Sequence, residues 1–208
     1  MAASVHITLV VDKSGSMQSQ KADVIGGFNA FLEAQRAAPG RLTVTLVQFD
    51  STYTLVHDGL PVERVPDLNA KTYQPGGGTA LVDAIARGIA DTERFIRGLA
   101  PQDRPARVVF VVMTDGEDNK SHWYDLEDLR ALITHHERGG AWQFMYIGQA
   151  FAGFSHREQA TSLGIRNAST TDCTSEAYRD VTEVTSVVRA RVQRDEALRW
   201  RGGDDETN

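Results

Sequence analysis

The chain has a single cysteine, Cys173, among its 208 residues. A lone thiol excludes an intramolecular disulfide and gives no reason to expect an oxidising compartment. Near an expected helix start it is a small residue rather than a catalytic thiol. An excess of basic charge is also missing: 22 Lys and Arg stand against 28 Asp and Glu, a formal net charge of -6. That balance argues against nucleic acid or an anionic membrane as the main partner. The arginines do not form a separate patch, since Arg87, Arg94 and Arg97 share their segment with Asp83, Asp91 and Glu93. No apolar run is long enough to span a bilayer. The run Val5–Val11 has no basic region before it and stops at Asp12, which suits a buried strand better than a signal peptide. The expectation is a cytoplasmic protein with no membrane and no nucleic-acid partner.

Signatures of common enzymes are absent too. A serine nucleophile at a strand–helix elbow needs Gly-x-Ser-x-Gly, which Lys13-Ser14-Gly15-Ser16 does not supply. A phosphate-binding loop needs Gly-Lys-Ser/Thr, but Gly76-Gly77-Gly78 runs into Thr79-Ala80. Of the six histidines, His135 and His136 are adjacent and project ~100° apart on a helix, so they cannot chelate together. His6 is expected to be a satisfied strand histidine.

What is present is an alternation of strands and helices. Val5–Val11, Leu42–Phe49, Val108–Met113 and Trp142–Ile147 are strands rich in β-branched or apolar residues, and Ile165–Ala168 is a weak one. Only Asp50-Ser51 separates Leu42–Phe49 from the strand-like Thr52–His57, too short for a parallel crossover, so the two form an antiparallel hairpin with the later strand at the edge. Helical spacing marks Gln18–Ala37, Ala80–Leu99, Asp125 to Gly139, Phe151–Leu163, and Ser175 to about Arg194. Gly59–Gln74, with Pro61 and Pro66, is expected to be a loop. The fold class is α/β: an open, doubly wound, mostly parallel six-stranded sheet with one antiparallel edge and helices on both faces. One domain is expected over residues 1–200, followed by a disordered acidic tail over 201–208.

Three short polar segments, far apart in sequence, are each expected where an apolar strand ends: Asp12-Lys13-Ser14-Gly15-Ser16, Gly76-Gly77-Gly78-Thr79 and Thr114-Asp115-Gly116. Ligands of open α/β sheets bind beyond the carboxyl ends of the strands. Brought together there, the segments offer two carboxylates and three hydroxyls and no thiol. Such a hard-oxygen set suits Mg²⁺ or Mn²⁺ and not zinc or copper.

Together the segments resemble the von Willebrand factor type A domain, whose metal-ion-dependent adhesion site reads Asp-x-Ser-x-Ser, a lone Thr, and an Asp. Asp12, Ser14, Ser16, Thr79 and Asp115 fill all five positions, and the resemblance spans about residues 5–195. The wording around Pro75–Leu81 and Met113–Glu117 is similar to the bacterial intracellular branch. The resemblance implies a Rossmann-like fold and a bound Mg²⁺, with Mn²⁺ or Ca²⁺ as substitutes. It implies direct coordination by Ser14 and Ser16, direct or water-mediated coordination by Thr79, and charge from Asp12 and Asp115. It also implies recognition of an Asp or Glu carboxylate on a protein partner, such as an AAA+ ATPase or an operon-encoded factor acting in trans, and no bond-breaking reaction. Lys13, Gly77, Gly78, Glu117 and Trp123 are expected on the partner-facing rim. Lys13 is expected to point to solvent, and Trp123 either to join the rim or to pack on a helix. A metal-dependent hydrolase and a structural, self-assembling domain are the competing readings.

Overall fold

Every residue of the first strand, β1 (Ser4–Asp12), is buried in the computed structural model, which describes residues 4–148, 156–169 and 175–203. The burial follows from its place in the sheet. β1 lies between β2 (Arg41–Phe49) and β4 (Arg107–Thr114), parallel to both, and a strand covered on both faces must be apolar on both. The sheet is completed by β3 (Tyr53–Pro61), β5 (Trp142–Gly148) and β6 (Asn167–Ser169), in the order β3-β2-β1-β4-β5-β6. Only the β2–β3 pairing is antiparallel. The expected six-stranded sheet with one antiparallel edge is the observed one.

Alternation along β1 divides the core in two. Val5, Ile7, Leu9 and Val11 face α1 (Lys21–Ala37) and α5 (Ser175–Gly203), packing with Phe28, Leu32, Tyr178 and Val181. Val10 faces the other layer, where α2 (Leu81–Gly98) and α3 (Leu126–Arg138) bury Ile85, Ile89, Leu129 and Ile133 against Phe110 and Phe144. A short helix, α4 (His156–Ser162), contributes Ala160 to that layer. Asp125 caps α3 as expected, its carboxylate accepting from the N–H groups of Glu127 and Asp128 at 2.8 and 2.9 Å.

Successive crossovers leave β1 toward β2 and later return to β4 on the other side, so strand order reverses between β1 and β4. The carboxyl ends of these two strands, Asp12 and Thr114, therefore flank the crevice where such sheets bind ligands.

Several boundaries differ from the sequence expectation. β3 continues through Gly59 to Pro61, because its irregular register lets the Gly59 N–H donate to the Thr45 hydroxyl at 3.0 Å, and because proline is tolerated at the end of an edge strand. The rest of the expected loop is pinned by buried Val62, Val65, Leu68 and Tyr73. A 3₁₀ segment, Gly15–Gln20, precedes α1 in place of one continuous helix. The last strand lies at Asn167–Ser169, two residues beyond the expected start, paired with β5. The closing helix runs to Gly203, so the expected boundary at 200 falls inside it. Cys173, the first residues of the expected Phe151–Leu163 helix, and the tail from 204 onward lie outside the described residues.

Candidate metal centre

The three polar segments meet at the crevice. Asp12, wholly buried, accepts the Ser14 N–H on Oδ1 at 2.6 Å and the Thr114 hydroxyl on Oδ2 at 2.6 Å. The Ser14 and Ser16 hydroxyls lie 3.0 Å apart, and Ser16 donates onward to Asp115 Oδ1 at 2.6 Å. Asp115 Oδ2 accepts from Gln20 Nε2 at 2.9 Å. Thr79 arrives from the third segment. A side-chain atom built on Gly116 would lie 3.0 Å from Thr79 Oγ1 and 3.7 Å from Asp12 Oδ2, so all three border one space that a larger residue would crowd.

The backbone holding these side chains is tightly cross-connected. Gly77 has φ +76°, a left-handed conformation that glycine adopts freely, and its carbonyl accepts the Gly15 N–H at 3.1 Å. The Gly76 N–H donates to the Lys13 carbonyl at 2.8 Å, and the Gly78 N–H to the Ser51 hydroxyl at 2.9 Å. The Thr79 N–H donates to Asn119 Oδ1 at 3.0 Å, while the Thr79 carbonyl accepts the N–H groups of Asn119 and Lys120 at 2.9 and 3.1 Å. Asp118 and Ser121 accept from the N–H groups of Val82 and Asp83, supplying partners for the orphan donors at the start of α2. The Tyr73 hydroxyl donates to the Asp12 carbonyl at 2.5 Å, pinning the end of β1.

Electrostatically the crevice is under-compensated. Burial pushes the Asp12 carboxyl up to about 6, with neighbouring Asp115 adding to the rise and hydrogen bonds from Thr114 and Ser14 opposing it. The nearby cation gives little relief, because Lys13 pairs with Asp50 and does not point to solvent. Burial also pushes Asp50 up, but hydrogen bonds from Lys13 and Thr52 outweigh it and hold that carboxyl below the ordinary value. Lys13 is thereby corrected: it staples the first motif to the β2–β3 turn and is no free rim residue. Gly77 and Glu117 are exposed and Gly78 is half-buried. Trp123 is 85% exposed, which removes helix packing as its role.

Sequence reasoning overlooked Gln20 and the supporting role of Thr114. The signal for Thr114 was present in its position just before Asp115. For Gln20 it was a polar residue destined for the inward side of the first helical segment. Gln20 also has a buried Oε1 that accepts no hydrogen bond among the described residues.

The donor set fits a divalent cation. Among the described residues no three His, Cys, Asp or Glu side chains converge on a metal-like cluster. What the crevice offers is oxygen alone, from three hydroxyls and two carboxylates. Both oxygens of each carboxylate already accept protein donors. The carboxylates thus supply charge with their orientation fixed, and Thr79 Oγ1 and Asp12 Oδ2 border the space beside Gly116. A raised Asp12 carboxyl and an orphaned Gln20 oxygen are the marks of a site that a cation would complete.

No protein-family model and no curated protein sequence matches the chain. Its fold, by contrast, is found in solved structures. A von Willebrand factor type A protein from Catenulispora acidiphila matches with TM-score 0.56 at 16% identity, over 87% of this chain and 42% of that one. Proximal thread matrix protein 1 from the mussel byssus, with a zinc-occupied MIDAS motif, matches with TM-score 0.53 at 17% identity, over 89% and 46%. Manganese-loaded TRAP protein of Plasmodium vivax matches with TM-score 0.54 at 18% identity, over 85% and 71%. The chain spans less than half the length of the first two of these.

Proposed function

From the von Willebrand factor A fold as premise, we propose that this chain is a divalent-metal-dependent protein-binding module of the adhesion-site type. One observation carries the reading: five oxygen-bearing side chains from three distant segments share the crevice at the strand-order reversal, with their carboxylates held by protein donors. Asp12, Ser14, Ser16, Thr79 and Asp115 would hold the cation. Two structural neighbours with zinc and manganese support a divalent ion. Mg²⁺ is proposed because three hydroxyls and two carboxylates are hard ligands, with Mn²⁺ or Ca²⁺ as substitutes.

When bound, such an ion supplies an electrophilic position for a carboxylate oxygen from an Asp or Glu of a partner protein. The chain's own residues prepare that position. Ser16 donates its hydroxyl hydrogen to Asp115 and accepts that of Ser14, which leaves one Ser16 lone pair for a cation. Asp12 and Asp115 provide the negative field, and Thr114 and Gln20 keep them in place. Each carboxylate oxygen already accepts one protein donor, which fixes both groups in orientation and supports recognition as the proposed role. Among the described residues no helix is long and apolar enough to cross a membrane. A cytoplasmic setting and a partner supplied in trans, such as an AAA+ ATPase, are part of the proposal.

The test is isothermal titration of Mg²⁺ into the wild type and the Asp115→Ala variant, with melting temperatures in Mg²⁺ and in EDTA. The wild type should bind and gain about 2.7 kcal/mol of stability at a hundredfold excess over its Kd. Asp115→Ala should lose both. Equal binding by the two proteins would refute the site. Affinity capture with Mg²⁺ against EDTA then tests the docking step.

A further inference from the structure

Beside Thr79 the surface opens into a groove of about 540 Å³ between the start of α2, the β2–β3 turn and the 120–124 loop. Its lining includes Tyr53, Arg87, Lys120, His122 and Trp123. Lys120 joins the two places, since its N–H donates to the Thr79 carbonyl at 3.1 Å while its side chain reaches the groove.

The groove is cationic on a protein whose net charge is -6. Among the described residues no carboxylate forms an ion pair with Arg87 or Lys120. The one carboxylate lining it, Asp83, accepts three consecutive backbone N–H groups, those of His122, Trp123 and Tyr124, at 2.8, 3.0 and 2.9 Å. The loop's N–H groups hold that charge in place, and with Arg87 and Lys120 the lining keeps a positive balance. Arg87 lies over the Tyr53 ring, 4.2 Å from its centre, and the Tyr53 hydroxyl donates to Asp91 at 2.7 Å, so one wall is held at both ends. On the other wall Trp123 is 85% exposed although its backbone is fixed by Asp83. A large aromatic ring displayed on a fixed backbone loses little freedom when a partner covers it.

We infer that this groove is the second half of the docking face and receives an acidic, extended segment of the partner protein, next to the carboxylate that reaches the metal. Arg87 and Lys120 pair with its carboxylates, and Trp123 covers an apolar side chain between them. The inference rests on the metal-dependent reading above for the first contact only. The charge complementarity of the groove is independent of it.

The experiment follows the Trp123 indole N–H, assigned with Trp123→Phe, in ¹⁵N-labelled protein. Probes are the acetylated, amidated pentapeptide Asp-Glu-Phe-Glu-Gly and a control with both glutamates changed to glutamine. In saturating Mg²⁺ the acidic peptide should shift the Trp123 signal and bind at least tenfold more tightly than the control. The double variant Arg87→Gln, Lys120→Gln should bind it at least fivefold more weakly, with Mg²⁺ affinity by titration unchanged. Trp123→Ala, at an exposed position, should weaken the peptide without altering the melting temperature. Equal affinity for both peptides, an unmoved Trp123 signal, or displacement by equimolar orthophosphate overturns the groove. If Mg²⁺ itself does not bind, the metal reading fails separately. The Trp123 shift with the acidic peptide in EDTA then decides the groove: a glutamate-dependent shift sustains it, and none refutes it.

Discussion

Strand β1 buries an ionisable group near each end, His6 at the start and Asp12 at the finish, and surrounds them differently. His6 has a partner for each ring nitrogen, with Nδ1 2.8 Å from the Thr43 hydroxyl and Nε2 3.2 Å from that of Thr8, and its ring stacks on Phe95. Burial lowers its pKa to about 3, so it is a neutral piece of core, satisfied by neutral neighbours. Asp12 has neutral donors on both oxygens but a second carboxylate nearby and Lys13 committed to Asp50. One burial ends inside the protein. The other leaves a negative charge that only something from outside can compensate. The same strand therefore shows how a structural buried polar group differs from a functional one: in the first every demand is met locally.

Breaking the functional end should give the largest effect. Asp12→Asn should weaken Mg²⁺ binding by at least a hundredfold in a calorimetric titration. The same variant should melt no lower than wild type in EDTA, because a buried negative charge has been removed. His6→Ala should do the reverse. It empties a stacked site and strands the Thr43 hydroxyl, so chemical denaturation should show a loss of about 3 kcal/mol, with Mg²⁺ affinity per folded molecule unchanged.

Acid sharpens the contrast. The His6 pKa is lower folded than unfolded, so the unfolded chain takes up protons first, and stability falls as pH drops from about 6.5 toward about 3. The Asp12 pKa is higher folded than unfolded, so its penalty is full above about 6 and disappears as pH falls toward 3.8. The two slopes oppose each other between about 3.8 and 6. Denaturation of metal-free protein across that range should be nearly flat for these two groups. Asp12→Asn should expose the His6 slope, of at most ~1.4 kcal/mol per pH unit. The smallest effect is expected from Ser14→Ala, which removes one hydroxyl and no charge and should weaken Mg²⁺ severalfold in the same titration.

Much of this molecule was legible along the chain. Periodicity disclosed the strands, Asp125 announced its helix, and the two-residue Asp50-Ser51 link implied the antiparallel edge. The five oxygen-bearing residues proposed as ligands were recognisable because each lies at or just past the end of a strand or just before a helix, where the local sequence itself signals the setting. What stayed hidden depends on contacts between remote residues. Lys13 meets an acid 37 positions away, and Gln20 meets Asp115 across 95. Gly59 and Pro61 look like loop residues until an irregular edge register and the Thr45 hydroxyl absorb them. Trp123 has no local pattern to mark it as displayed, because the residue that fixes its loop, Asp83, lies 40 positions away on α2.

The double hydrogen bond from Asn119 and Lys120 to the Thr79 carbonyl has a consequence for transplantation. With Asn119 also accepting from the Thr79 N–H, the glycine loop and the 116–121 loop form a single cast around one threonine. Copying five ligand residues into another α/β scaffold would move the ink without the type: Thr79 would lack the neighbour that sets its angle. The heritable unit of this centre is the pair of loops, and insertions between residues 116 and 121 should be tolerated far less than their exposure suggests.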